Sequence, residues 1–259
     1  MPDVLILFAS KSDEGAYRQI FKILDKNKAS YDFKLASAHK TPDDVDRIVS
    51  SSDYKVVISG AGLAAALPGV IAAKTIRPVI GVPCRGNYEG LDALLSIMQM
   101  PSGVPVLSVG TLKADVAAQE AIKILNRPEK VVLVGDKNNK AFKKAEEILR
   151  DFKVNHSHSE QAIDNAINIV FTYFDEPIEK KGQLIIYCPL LEENDDKAEA
   201  ALNLLKHAEH GLWVGLNNGQ NAALAAIEIL NVDNSFEQKL IDYRKQIGEK
   251  VRNSNKKKL

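Results

Sequence analysis

The stretch Val4-Leu5-Ile6-Leu7-Phe8 begins the pattern that decides the fold of this chain. It is short, continuous and apolar, as is typical of a strand buried on both faces of a parallel sheet. Residues 15–26 follow with an apolar stripe at helical spacing, so the strand leads into an amphipathic helix. A strand followed by a helix in this way is the repeating unit of a parallel α/β fold.

The same alternation continues along the chain. Thr41-Pro42-Asp43-Asp44 predicts a helix start, because it combines a capping hydroxyl, a proline at the first helical position and acids in the first turn. Further strands are predicted over residues 31–36, 55–59, 78–82 and 104–109, and further helices over residues 64–75, 91–99 and 114–125. We therefore predict a three-layer α/β/α sandwich around a parallel, flavodoxin-like or Rossmann-like sheet with right-handed crossovers.

The second half of the chain repeats this order. Lys11, in the turn after the first strand, matches Lys137, 126 positions later, whereas residues 109–125 match residues 214–230, only 105 positions later. The second copy is therefore shorter by about 20 residues. We predict a tandem duplication, with one domain over residues 1–126 and a shortened one over residues 127–259. The alternative is that any two βαβ stretches resemble each other.

The composition excludes several classes of protein. Among 259 residues, 34 basic side chains balance 34 acidic ones, which argues against a nucleic-acid-binding protein. With only two cysteines, Cys84 and Cys188, a disulfide scaffold and a cysteine-rich zinc site are not expected. We see neither a signal peptide nor a membrane-spanning stretch, so we expect a cytoplasmic protein. The one basic run, Lys256–Lys258, is predicted to be a solvated terminus.

Turns that follow the predicted strands carry the polar residues of interest, because ligands of open parallel sheets bind beyond the carboxyl ends of the strands. The first turn places Ser10, Ser12 and Asp13 before a helix. There, hydroxyls and free amides suit a phosphate, and the acid suits sugar hydroxyls. Considered alone, the serines are more simply explained as helix caps.

Two further turns have ligand-binding character. Ser37-Ala38-His39-Lys40 places a hydroxyl, an imidazole and a cation before a helix. Gly60-Ala61-Gly62 precedes an apolar helix, and its glycines would let the backbone approach a flat ligand. The latter turn also fits the start of a dinucleotide-binding fingerprint. We set that interpretation aside, because the fingerprint belongs in the first strand–helix turn and needs an acid about 20 residues later, which is missing here.

The remaining histidines form two close pairs, His156 with His158 and His207 with His210. Without a cysteine cluster or a suitably placed carboxylate, neither pair completes a metal site, so we expect surface histidines and no metal. Trp213 lies in an apolar stretch and is predicted to be in the core.

These turns and their neighbours form a series of motifs in a fixed order: Ser10-Lys11-Ser12-Asp13, Ser37-Ala38-His39-Lys40-Thr41-Pro42, Gly60-Ala61-Gly62, Pro78-Val79-Ile80-Gly81-Val82-Pro83, Gly90-Leu91-Asp92 and Gln99-Met100-Pro101. The series resembles the PurE family of de novo purine biosynthesis, the N5-carboxyaminoimidazole ribonucleotide mutases and aminoimidazole ribonucleotide carboxylases. The resemblance covers residues 1–126 and holds only in outline for the second half.

The resemblance implies an enzyme that moves or adds a carboxyl group on an aminoimidazole ribonucleotide without a metal or organic cofactor. His39 would act as acid and base on the ring carbon that gains the carboxylate, since an imidazole can exchange a proton near neutral pH. The residues implied to bind the substrate are Ser10, Ser12, Ser37 and Lys40 for the phosphate, Asp13 for the ribose, and the backbone of Gly60, Ala61 and Gly62 for the imidazole.

Departures from the family pattern keep three functions open. The Gly-Leu-Asp and Gln-Met-Pro segments favour a mutase, whereas Lys40, in place of the arginine typical of mutases, favours a carboxylase that uses carbon dioxide directly. Ala66 stands where the family usually has histidine, which leaves a non-catalytic nucleotide-binding protein as a third possibility. The presence of His39 argues against that third possibility.

The second half is predicted to be non-catalytic. It lacks the Ser-Ala-His segment, and Asp136 replaces Ser10, where an acid would repel phosphate. Only this half carries a closing helix like that of the family, over residues 236–251. If the family's octameric packing is kept, each chain supplies two of eight positions, and we expect a homotetramer that forms a pseudo-octamer.

Overall fold

A computed structural model describes residues 2–50, 53–86, 88–174 and 182–254 of the chain, so the run Lys256–Lys258 lies outside the described residues. The elements of the first half are β1 (Val4–Phe8), α1 (Glu14–Lys26), β2 (Tyr31–Leu35), α2 (Pro42–Ser50), β3 (Val56–Ala61), α3 (Leu67–Ala72), β4 (Val79–Pro83), α4 (Leu91–Met98), β5 (Leu107–Ser108) and α5 (Ala114–Leu125). Those of the second half are β6 (Val131–Val134), α6 (Lys140–Asp151), β7 (His156–Ser159), β8 (Ile167–Thr172), β9 (Leu184–Pro189), α7 (Lys197–His207), β10 (Leu212–Trp213), α8 (Gly219–Leu230) and α9 (Glu237–Ser254).

Within the described ranges, ten strands form one sheet in the order β2-β1-β3-β4-β5-β10-β9-β8-β6-β7. The paired strands are parallel within each half, and the halves join through one antiparallel contact between Ser108 of β5 and Trp213 of β10. Each half has the strand order 2-1-3-4-5, which is the flavodoxin-like order. The predicted α/β fold class is therefore confirmed, while the duplication itself stays a prediction.

The apolar core crosses from one half to the other. On one face of the sheet, α1 and α5 of the first half and α6 and α8 of the second contribute to a single buried cluster that extends from Val4 to Leu240. On the other face, α2, α3 and α4 cover the first half around Leu7 and Ile71. Trp213 is fully buried, as predicted. Because one core spans both halves, they form one packed body, and the boundary at residue 126 stays a prediction.

Two connections account for the shorter second half. In the first half, α2 lies between β2 and β3, whereas β7 ends at Ser159 and β8 already begins at Ile167, with no helix between them. Similarly, α3 connects β3 to β4, whereas β8 ends at Thr172 and β9 begins at Leu184. Residues 175–181 of that second connection lie outside the described ranges.

Two elements are much shorter than predicted. The helix expected over residues 64–75 is only α3, because Ala64 has a φ of 46° within a turn, and a residue at positive φ cannot continue a right-handed helix. The strand expected over residues 104–109 is only β5. Pro105 explains this difference, because it has no N–H to donate to the sheet.

Buried hydrogen bonds also tie the halves together. Asn221 of α8 accepts at Oδ1 from the Gly103 N–H at 2.8 Å and donates from Nδ2 to the Pro101 carbonyl at 3.1 Å. On the other side of the junction, Arg77 donates to the Asn231 carbonyl at 2.7 Å. The bonds of Asn221 hold the segment 101–103 of the first half against α8, and the bond of Arg77 reaches the residue that follows α8.

The last helix, α9, contacts α8 of its own chain. Leu240 is fully buried, and the Tyr243 hydroxyl accepts from Gln220 Nε2 at 2.6 Å. Towards the end of the helix, Val251 is 68% exposed. Across the ranges that the structure describes, no helix combines the length and apolarity needed to cross a bilayer.

Candidate active site

Ser10, Ser12 and Asp13 lie in a short 3₁₀ turn between β1 and α1. Ser10 caps this turn, since its Oγ accepts from the Ser12 N–H at 3.2 Å and from the Ser12 hydroxyl at 2.8 Å. The capping explanation is therefore confirmed for Ser10. Because a hydroxyl can both accept and donate, its own proton remains to be given to a further acceptor. Both serines are exposed, so the cap and an anion contact are compatible.

Asp13 is half-buried beside Cys84, the residue that follows β4. Burial raises the pKa of the Asp13 carboxyl, and hydrogen bonds from Cys84 and Ser12 partly offset that rise. Burial also raises the pKa of the Cys84 thiol to about 12, and the charge of Asp13 adds to the rise. The thiol is therefore neutral, and it lies beside Asp13 while its Sγ donates to the Val82 carbonyl at 3.6 Å. The sequence analysis did not assign Cys84 to the site, because no motif links it to the first turn.

Ser37, His39 and Lys40 lie in the turn between β2 and α2. The Ser37 N–H donates to Thr41 Oγ1 at 3.0 Å, and Ser37 Oγ accepts from the Lys40 N–H at 3.3 Å. The helix begins at Pro42, as predicted. His39 and Lys40 are exposed, so an imidazole and an ammonium are both available at a helix start, where partial positive charge favours an anion.

Gly60, Ala61 and Gly62 form the end of β3 and the start of the loop before α3. A Cβ at Gly60 would lie 2.1 Å from Cε1 of Phe8, so this glycine is required for core packing. Gly62 is partly exposed, and a Cβ there would lie 3.2 Å from the Arg85 carbonyl oxygen. Glycine is therefore needed at position 60 to make room for the Phe8 ring. Of the two glycines, only Gly62 leaves its backbone open to close approach by a ligand.

The three turns meet because the strands that precede them are neighbours, with β1 between β2 and β3. At the carboxyl ends, the Ala36 N–H donates to the Phe8 carbonyl and the Ala9 N–H to the Gly60 carbonyl, each at 3.1 Å. In this topology, the point between β1 and β3 is where connections leave in opposite directions and where ligands bind. The structure therefore brings all the predicted site residues to one edge of the sheet.

Three further polar atoms near this edge were not singled out from the sequence. Among the described residues, Ser59 Oγ, Asp92 Oδ1 and Thr111 Oγ1 are buried without a hydrogen-bond partner. Leaving a buried polar group unpaired costs about 1–3 kcal/mol. Asp92 belongs to the quoted Gly-Leu-Asp motif, but only its burial indicates that this carboxyl is unsatisfied within the protein.

The second half has a cleft at the matching strand ends, after β6 and β8. It encloses about 750 Å³, and its lining includes Asp136, Tyr173 and Glu192. Asp136 Oδ1 accepts from the Asn138 N–H at 2.9 Å, and the Tyr173 hydroxyl donates to Glu192 Oε1 at 2.6 Å. The lining also holds Glu193 and three lysines, so the difference from the first half is the carboxylate of Asp136 in place of the Ser10 hydroxyl; the lysines are Lys140, Lys144 and Lys197.

We expected surface histidines at positions 156 and 158; His158 is exposed, as expected, whereas His156 is partly buried. Their Nε2 atoms lie 3.0 Å (His158) and 3.9 Å (His156) from Oε1 of Glu146 in α6. The sequence analysis did not find this carboxylate beside the pair.

Comparison with known proteins gives matches to the first half. The family model for AIR carboxylase matches residues 3–133. An N5-carboxyaminoimidazole ribonucleotide mutase of Pyrococcus abyssi is 45% identical over 130 residues, which cover 49% of this chain and 75% of that protein. The mutase of Methanocaldococcus jannaschii is 44% identical over 122 residues, covering 47% and 78%, respectively.

Two further matches are a relative named as a carboxylase and a solved structure. A phosphoribosylaminoimidazole carboxylase of Schizosaccharomyces pombe is 44% identical over 128 residues, which cover 48% of this chain and 23% of that protein. The crystal structure of Treponema denticola PurE is 28% identical, with a TM-score of 0.42, and the match covers 48% of this chain and 79% of that one.

Proposed function

Because this chain belongs to the AIR carboxylase family, we propose that its first half interconverts N5-carboxyaminoimidazole ribonucleotide and 4-carboxy-5-aminoimidazole ribonucleotide in de novo purine biosynthesis. The chain is an enzyme, as its relatives named mutase or carboxylase are. One observation carries the proposal for the site: the turns after β2, β1 and β3 lie side by side. A mutase must hold phosphate, ribose and ring together, and these turns carry a group suited to each.

The phosphate is assigned to Ser10, Ser12, Ser37 and Lys40, and the ribose to Asp13. Ser10 Oγ and Ser37 Oγ each accept from the backbone of their own turn, at 3.2 and 3.3 Å, so each hydroxyl is oriented and retains a proton to donate. Lys40 supplies an exposed positive charge beside them. Asp13, half-buried beside Cys84, is the acceptor for ribose hydroxyls.

His39 is assigned the proton transfers. The bond between the exocyclic nitrogen and its carboxyl group breaks to release carbon dioxide, and the ring carbon then bonds to that carbon dioxide. His39 takes the proton that the ring carbon loses, and the proton is returned to the nitrogen, so the step is a balanced isomerisation. Keeping carbon dioxide beside the ring is the main physical requirement, because a held reactant acts at a high effective concentration.

Direct carboxylation is the second candidate, and it is favoured by Lys40 and by the similarity to the Schizosaccharomyces pombe carboxylase. The two reactions use different carboxyl donors. We therefore suggest supplying the carbamate isomer alone, or aminoimidazole ribonucleotide with bicarbonate, and measuring the carbon-carboxylated product in each case. Turnover of the carbamate isomer supports the mutase, and turnover only with bicarbonate supports the carboxylase. If neither substrate is converted, the proposal is wrong.

We assign one substrate site to each chain, in the first half. Asp136 stands in place of Ser10, where a carboxylate would repel a phosphate, and the Ser-Ala-His segment is missing from the second half. Calorimetric titration with the ribonucleotide should give one site per chain. Two equivalent sites per chain would contradict this assignment.

We propose that four chains assemble as a pseudo-octamer. The exposed side chains Ile241 and Val251 of α9 leave apolar surface for a neighbouring chain. Light scattering should give a mass near that of four 28.4 kDa chains. A monomer in solution would contradict the assembly but not the proposed reaction.

We also propose a cytoplasmic location, with a small ribonucleotide as the partner molecule. Both Cys84 and Cys188 are free thiols, as is typical of a reducing compartment. Fractionation of cells that produce the tagged chain would test this location.

A further inference from the structure

The second half places three metal-ligand side chains together, far along the sheet from the proposed active site. His156 and His158 are two positions apart on β7, the last strand of the sheet, so their side chains leave the strand on the same face. That face lies against α6, which carries Glu146. One ligand atom from each residue lies within 4.8 Å of the other two.

The hydrogen bonding of His156 directs a lone pair towards Glu146. Its Nδ1 lies 2.9 Å from the Val154 carbonyl oxygen, and because a carbonyl can only accept, Nδ1 carries the proton. In the neutral ring, Nε2 is then an acceptor, and it faces another acceptor, Glu146 Oε1, at 3.9 Å. Two acceptors facing each other are suited to a cation between them. A backbone bond to the second ring nitrogen is also the usual outer-shell support of a metal-binding histidine.

The first half gives an independent comparison. At the matching place it has a cluster of packed aromatic rings, with centroid separations of 4.5–5.6 Å, formed by Tyr17, Phe21, Tyr31 and Phe33. The residues 125 positions later are Phe142, Glu146, His156 and His158. The same positions of the two edge strands are matched, because Tyr31 is the first residue of β2 and His156 is the first residue of β7.

Three of the four aromatic positions are therefore occupied by a carboxylate and two imidazoles. In the first half, the rings hold the edge strand β2 against α1 through apolar contacts. In the second half, Phe142 is the one phenyl ring kept at these four positions, and it packs edge-on against the His158 imidazole with centroids 5.3 Å apart. A bound cation would fasten β7 to α6 in place of the missing ring contacts.

We propose that Glu146, His156 and His158 bind one divalent transition-metal ion, and that this ion is zinc. Two imidazole nitrogens and one carboxylate oxygen are a ligand set that zinc commonly uses, with a fourth position left for water. The partial exposure of His158 gives the ion access from solvent.

Arg150 is the competitor for this position. Its Nη2 lies 2.8 Å from Glu146 Oε1, and its side chain is 66% exposed, so it can move into solvent when an ion binds. Without an ion, Arg150 and His158 share the Glu146 carboxylate as a hydrogen-bonded network.

The test is calorimetric titration of the full chain with zinc after treatment with a chelator. We expect one zinc ion per chain, and binding at least about tenfold weaker in Glu146→Gln and in His158→Phe, since even loss of an outer-shell partner costs 10–100-fold. The second variant introduces the residue type found at the matching position of the first half. His210→Gln, which removes a histidine outside the cluster, should bind zinc as the wild type does.

The Arg150→Ala variant distinguishes a metal site from a hydrogen-bonded network around Glu146 that is purely structural. Removing a competing charge should tighten zinc binding about two- to fivefold, as expected for an exposed ion pair. Cobalt bound to the wild-type chain should give visible ligand-field bands that are absent with Glu146→Gln. No saturable zinc binding by the wild type, or equal binding by wild type and Glu146→Gln, would overturn the proposal. If Glu146→Gln does not fold, Arg150→Ala decides: unchanged or weaker zinc binding then overturns it.

Discussion

The turn after β1 and the turn after β6 occupy the same place in the two halves, but their chemistry is opposite. The first offers hydroxyls from Ser10 and Ser12, and the second offers the carboxylate of Asp136, already bonded to the Asn138 N–H. The strands beneath both turns are equally buried and apolar. The fold thus depends on the strands, whereas binding depends on a few residues at their ends.

This difference teaches that the two halves need not share a function to share a core. Core packing requires apolar strands and helices of the right size, and tolerates many sequences at the loops. Loops at the carboxyl ends can therefore lose phosphate-binding groups without loss of the fold. The predictions below separate residues that serve the reaction from residues that serve the packing between the halves.

The largest effect is expected for His39→Asn. It removes the proposed proton carrier while leaving a side chain of similar shape, so turnover should fall by about 10²–10⁴-fold. Steady-state assays with circular dichroism would check activity and folding together. His207→Gln in the second half should leave turnover unchanged. Activity of His39→Asn within tenfold of wild type would disprove the assigned role.

Asn221→Ala should cause the largest loss of stability. The change removes the bonds to the Gly103 N–H and the Pro101 carbonyl and leaves the buried Gly103 N–H unpaired, at a cost of about 1–3 kcal/mol. Urea unfolding would measure this loss. Lys245→Ala, on the exposed side of α9, is the control and should change stability by less than about 0.5 kcal/mol. Equal effects of the two variants would show that Asn221 does not hold the halves together.

A pH effect is expected from Glu228, which is buried in α8 and paired with Arg244 at 2.8 Å. Burial raises the pKa of Glu228 to about 7, although Arg244 acts in the opposite direction. The folded chain therefore holds a proton that the unfolded chain loses between pH 4.5 and 7, so stability falls as pH rises through this range.

Glu228→Gln cannot lose that proton. Relative to this variant, the wild type should lose about 1–3 kcal/mol of stability as the pH rises from 4.5 to 7, measured by urea unfolding. A wild type that gains stability relative to the variant over the same range would contradict the raised pKa.

The smallest effect is expected from exchanging the residues that distinguish the two turns. Aspartate is also a good N-cap, so Ser10→Asp should fold normally but raise KM about tenfold through repulsion of the phosphate. Asp136→Ser should leave KM unchanged, because the second half does not bind the substrate. If the two variants gave the same KM, the assignment of the substrate to the first half would be wrong.

The sequence predicted the fold class because its strands are short apolar runs separated by amphipathic helices. It also predicted which turns lie together, since turns after neighbouring parallel strands share an edge. It did not predict the late start of α3, because a positive φ at Ala64 depends on how the loop packs. It also missed Glu146 beside the two histidines, because the spacing along the chain does not reveal which helix face covers the last strand.

The antiparallel contact between β5 and β10 determines from which side of the sheet a small molecule reaches each half. Because the five strands of one half run opposite to those of the other, their carboxyl ends lie at opposite rims of the sheet. A molecule that enters the cleft around Asp136 therefore approaches from the side opposite to the substrate. The two clefts therefore open at opposite ends of the strands, and Asp136 does not face the turns proposed to bind the substrate.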